Sequence, residues 1–107
     1  LAPGFTMDRI NWVASAPTRE PFRALVKIRY RSPGYAATVY PEGAGDDDAG
    51  EDGAHVDTAR VVFDEPVRAI TPGQTAVAYD EATGETVLMG GWIRRRLNGN
   101  SVIDEHA

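Results

Sequence analysis

Asp64 and Glu65 stand side by side in the stretch FDEPVRAITPGQTAVAYD, residues 63–80, and a pair of carboxyls is the smallest apparatus that can divide general acid and general base work. Adjacent residues of an extended chain point to opposite faces, so these two do not converge on one substrate atom. They read instead as a strand end, neutralised by Arg68 or held by a turn hydrogen bond. Histidine offers no more. His55 borders an acidic run, His106 lies in the tail, and without cysteine the chain has no recognisable transition-metal spacing. DDDAGED at 46–52 fails the calcium-loop pattern, because the alternating ligands and the closing glutamate are out of place. Ser15, Ser32 and Ser101 lack a nucleophile elbow, and neither the pyrophosphate fingerprint nor the Walker phosphate loop is present. No catalytic residue, cofactor site or metal site is assigned to this chain.

The basic residues are more informative. In FRALVKIRYR, residues 22–31, Phe22, Ala24, Val26, Ile28 and Tyr30 alternate with Arg23, Leu25, Lys27, Arg29 and Arg31, the period of a half-buried strand. Arg23, Lys27, Arg29 and Arg31 share the face opposite the apolar set, and a row of guanidinium groups suits the phosphates of a nucleic-acid backbone. The formal charge of -5, taken as a whole, opposes such a partner. Seven of the sixteen acidic residues, however, fall between Glu42 and Asp57, where there is no Lys or Arg; the remainder carries nine acidic against eleven basic residues. The scaffold itself is mildly basic.

The elements that must position these side chains are short strands. Besides 22–31, strands are predicted at 35–40, 59–63, 67–70, 75–79 and 86–95, and residues 10–13 either add an edge strand or pack across a barrel mouth. Ser32, Pro33 and Gly34 supply a turn between the first two. Pro72 and Gly73 suit the middle of a type II turn, which places Gln74 just after its corner, and Gly90 and Gly91 inside the last strand suggest a bulge or bend. The reading is an all-β chain, a small six-stranded antiparallel β-barrel, since closure removes exposed edges. Residues 1–21 are expected to lead in from a preceding domain, 22–96 to form the barrel with an acidic loop insertion at 41–58, and 97–107 to be a polar tail. With 107 residues the chain is one domain. It lacks a bilayer-spanning apolar run and a signal peptide, and its opening residues read as the interior of a longer protein, expected to be soluble and cytoplasmic.

VKIRYR at 26–31, VVFDEPVRAITPGQTAVAYD at 61–80 and VLMGGWI at 87–93, with INW at 10–12 upstream, together resemble the C-terminal domain of tRNA-specific 2-thiouridylases. The resemblance covers most of residues 10–95 in the same order. It implies a parent enzyme that replaces the 2-oxygen of a wobble uridine with sulfur, using ATP to activate the base. The family's S-G-G-x-D-S loop and paired catalytic cysteines belong to its N-terminal catalytic domain and are absent from this sequence. It further implies a barrel similar to domain 2 of elongation factor Tu that helps hold the tRNA.

Carried over residue by residue, the resemblance assigns tRNA contact to Arg29, Tyr30 and Gln74, and the basic stripe extends it to Lys27 and Arg31. Arg29 can fork onto phosphate, and Gln74 can exchange hydrogen bonds with a ribose 2′-OH. Strict alternation places Arg29 and Tyr30 on opposite faces. Either the strand twists or ends there, or Tyr30 is a barrel-wall aromatic offering only backbone. The acidic insertion after Tyr40 departs from the family pattern, which has a short turn there. Its charge should keep it from RNA, and it motivates an alternative in which the barrel docks protein, ordering the catalytic domain or receiving a sulfur-carrier partner.

Overall fold

The computed structural model describes residues 1–28, 33–42, 56–68 and 70–98. Six antiparallel strands, β1 (Ala2–Trp12), β2 (Phe22–Lys27), β3 (Tyr35–Glu42), β4 (Thr58–Val67), β5 (Thr75–Tyr79) and β6 (Val87–Arg96), close a barrel in the order β1-β4-β3-β2-β5-β6. The expected architecture is therefore present, and the alternation along β2 holds: Ala24, Val26 and Ile28 are buried while Arg23 and Lys27 face outward. Among the described residues no helix is long and apolar enough to cross a membrane.

Six strands were expected and six form, but they are not the same six. Residues 2–12, expected to lie ahead of the barrel, make its longest strand, inserted between β4 and β6. Ala2, Phe5 and Met7 are in the core, and Phe5 packs against Phe63 with ring centroids 5.8 Å apart. Apolar-polar alternation is weak in APGFTMDRINW, which is why the strand is hard to see in sequence. Gly4 marks how closely β1 approaches β4: a Cβ there would stand 1.9 Å from the Val61 carbonyl oxygen. Trp12 ends the strand by donating its indole N–H to the Val56 carbonyl at 2.8 Å and tilting against Phe22.

Of the predicted strand at 67–70, Val67 ends β4, and the other described residues, Arg68 and Ile70, are not in a strand. β4 instead runs through Asp64, Glu65 and Pro66 to Val67. Between the pairs Gly4↔Val62 and Ala2↔Val67, β4 spends five residue steps where β1 spends two. The FDEP element is thus a bulge bowed away from β1, and Pro66, with no N–H to donate, sits where the ladder is already broken. At Gly90 and Gly91 the expected irregularity is real, although the extra residue is on β1: Asp8↔Trp92 and Asn11↔Gly90 leave Arg9 and Ile10 facing one residue, and Arg9 takes a positive φ of 54°.

Antiparallel closure dictates which connections share an end. The start of β1, the end of β4, the start of β3, the end of β2, the start of β5 and the end of β6 lie together.

Candidate nucleic-acid interface

At that end the sequence TPGQ forms the corner leading into β5. The Gln74 amide donates to the Thr71 carbonyl at 3.2 Å, and Gly73 has φ 93°, the backbone of a type II turn whose third residue must tolerate positive φ. Two further bonds fix the corner to β6: Gly73 N–H to the Ile93 carbonyl at 2.8 Å and Ile93 N–H to the Gln74 carbonyl at 2.7 Å. The Gln74 side chain is thereby presented from a rigid backbone. Its Oε1 is buried and accepts no hydrogen bond from the described residues, a condition that costs free energy until a donor arrives.

Lys27, the last residue of β2, is opposite Val77 on the neighbouring β5, with its ammonium 5.0 Å from the centre of the Tyr79 ring. A cation over an aromatic face keeps its charge while losing part of its freedom. Arg29, Tyr30 and Arg31 lie outside the described residues. Ile28 and Pro33, on either side of 29–32, belong to the same barrel end as the Gln74 corner.

Arg23 departs from the basic-stripe reading. Its guanidinium grips Asp64 with two bonds of 2.7 Å, reaches Glu81 at 3.1 Å and donates to Thr38 Oγ1 at 3.1 Å. The bidentate pair across β3 holds the Asp64 carboxyl below its usual range, with Arg23 the dominant cause. So the partner of Asp64 is Arg23, 41 residues away in the chain, and not Arg68. Both side chains are nearly half exposed, which makes this a surface clamp of small energetic weight.

Sequence reading assigned no site residue to β6. Trp92 is 44% exposed, flanked by Thr75 on β5 and Asp8 on β1, and Arg94, Arg95 and Arg96 are all exposed after it. Regular alternation from buried Ile93 would turn Arg95 inward. A register shift between Thr6↔Arg95 and Met7↔Ile93 re-aims the strand, and all three arginines reach solvent. No described carboxylate is within ion-pair distance of Arg68, Arg94, Arg95 or Arg96. The signal available in sequence was the run RRR directly after GGWI. Net charge differs between the ends: Lys27, Arg68 and the β6 arginines lie at the Gln74 end, with Glu65 and, beside Trp92, Asp8 as the described carboxylates near it outside the Arg23 clamp. At the other end Glu20, Glu42, Asp57, Asp80, Glu81 and Glu85 outnumber Arg19, Arg23 and Arg60.

A closed antiparallel barrel of six strands is, in class, a small β-barrel domain. The chain belongs to the aminomethyltransferase beta-barrel domain family, whose model matches residues 2–49 and 52–93. In particular it is similar to the C-terminal region of tRNA-specific 2-thiouridylases: it is 41% identical over 88 residues to the one from Magnetococcus marinus, covering 82% of this chain and 20% of that protein. The protein of the same description from Nostoc punctiforme is 43% identical over 93 residues (87% of this chain, 22% of the relative), and that from Sodalis glossinidius 38% over 96 residues (90% and 22%). The chain thus spans about a fifth of the length of the curated relatives it matches.

Proposed function

We propose that this chain is the tRNA-contacting C-terminal barrel of an ATP-dependent tRNA 2-thiouridylase that thiolates the wobble uridine at C2. In this reading the barrel positions tRNA, and base activation by ATP and sulfur transfer take place in an N-terminal catalytic domain of the same parent protein. The observation that carries it is the convergence, at one end of the barrel, of the Gln74 corner, Lys27 and arginines without an ion-pair partner among the described residues, next to the ends of the segment containing Arg29, Tyr30 and Arg31. Phosphate attraction from the cations would give most of the affinity, and Gln74 would register the ribose. The test is tRNA binding by the chain across a salt series. Lys27→Ala and Arg29→Ala should flatten the dependence of log K on log salt by about 0.7–0.9 each, whereas Gln74→Ala should weaken binding without changing the slope. Wild-type affinity and slope in all three variants would refute the role.

A second reading, in which the barrel docks protein and orders the catalytic domain or receives a sulfur carrier, is favoured by the carboxylates gathered at the far end. Deleting Glu42 to Asp57, the acidic run that contributes two of these carboxylates, should then weaken a complex with the rest of the parent and leave tRNA affinity unchanged. An unchanged complex removes this reading.

A further inference from the structure

We infer that the outer face of β6 is a second RNA-contact element, continuous with the Gln74 corner: the Trp92 indole stacks on an unpaired base, and Arg94, Arg95 and Arg96 take the phosphates of the nucleotides leading to it. The inference rests on the reading of the chain as a tRNA-contacting barrel. Trp92 is one of three exposed large apolar side chains among the described residues, with Leu1 and Val13, and unlike those two it lies inside a strand hydrogen-bonded on both sides. Its backbone is already ordered, so presenting the ring costs little entropy. Exposed aromatics on barrel strands serve as base-stacking platforms because every base has a π-face.

Continuity with the corner is covalent and hydrogen-bonded. Thr75, the residue after Gln74, is the register partner of Trp92, and the Gln74 carbonyl holds the amide of Ile93 between Trp92 and Arg94. A ligand that engages Gln74 therefore meets β6 next. Charge supports RNA over a protein partner. Three consecutive guanidinium groups without a described carboxylate partner suit a polyanion, whereas a protein docked there would have to supply a matching row of carboxylates. Asp8, in register beside Trp92 on β1, repels phosphate. It sets the polarity of the site, with the base over the indole and the backbone leaving toward the arginines.

The test is titration of the chain with an unmodified tRNA transcript, read by tryptophan emission and by a salt series. Stacking should quench the emission of the wild type by a component that is lost in Trp92→Phe. Trp92→Ala should cost about tenfold in affinity, and the triple variant Arg94→Gln, Arg95→Gln, Arg96→Gln should lower the salt slope by about 2. Unchanged circular dichroism and melting temperature confirm that the surface variants are folded, and Gln74→Ala serves as the control. If wild type binds no tRNA, the tRNA-contact reading fails and this inference falls with it. If wild type binds and Gln74→Ala weakens it while the β6 variants retain wild-type quenching, affinity and slope, the β6 assignment alone is overturned. Wild-type tRNA affinity in the β6 variants together with loss of a complex with the rest of the parent would give this face to protein and equally overturn it.

Discussion

Replacing Gln74 by methionine should make the free barrel more stable and its RNA complex weaker. Gln74 Oε1 is buried without a donor among the described residues, and a buried acceptor left unsatisfied costs about 1–3 kcal/mol. The residue as a whole is only partly buried, which puts the effect near the lower figure, about 1 kcal/mol. Methionine is unbranched and of similar reach, so it fills the same space without an acceptor. The corner itself is held by backbone bonds from Gly73, Gln74 and Ile93, which the substitution leaves in place. For a domain of this size 1 kcal/mol raises the melting temperature by about 4–8 °C. The side-chain amide, which is partly exposed as a whole, is the group proposed to engage RNA, and its loss should weaken tRNA binding by about tenfold. Differential scanning calorimetry and filter binding at fixed salt measure the two effects. Gln74→Glu separates them further, since a carboxylate there should lower both stability and binding. A melting temperature that falls in Gln74→Met, or tRNA affinity that does not change, would refute the claim that this amide is held ready for a ligand.

A chain truncated to begin at Pro21 should not fold cooperatively, because removing β1 leaves the facing edges of β4 and β6 unpaired; a sharp melting transition in calorimetry would contradict this. Gly4→Ala should destabilise the barrel by at least about 3 kcal/mol, since the added carbon would meet the Val61 carbonyl, which belongs to the strand ladder and cannot move aside; urea denaturation measures it. Asp64→Asn should be less stable than wild type at neutral pH. Because the folded carboxyl is held below its usual range, the stabilisation is present above the unfolded value of about 3.9 and disappears as pH falls through the lower folded value. The two proteins should therefore converge in stability as pH drops below 4, and a gap that persists in strong acid would show that the clamp acts through something other than ionisation.

Local patterns were legible in sequence, and long-range ones were not. The period-two alternation at residues 22–28 and the proline-glycine corner before Gln74 depend on neighbours in the chain, and both are found as read. β1 escaped because its inward residues, Ala2, Phe5 and Met7, are spaced irregularly around Gly4, and its pairing with β4 is interrupted between Ala2 and Gly4. The partner of Asp64 escaped because only closure brings Arg23 across β3 to it. The β6 arginines escaped because a bulge, invisible in composition, turns all three outward.

That an acidic chain should bind an acidic polymer, as proposed, poses an electrostatic difficulty, which the topology reduces. Formal charge counts residues wherever they lie, whereas a phosphate responds to those within a Debye length, about 8 Å at physiological ionic strength. β3 alone has eight residues, about 26 Å of strand at about 3.3 Å per residue, so Glu42 and its neighbours stand several screening lengths from Gln74. The Arg23 clamp then neutralises Asp64, one of the two carboxylates that β4 carries toward the basic end, and leaves Glu65 as the other. What a polyanion meets on approach is the local field of Lys27, Arg68 and the β6 arginines. The carboxylates at the far end act only at longer range, as an orienting dipole that presents the Gln74 end first.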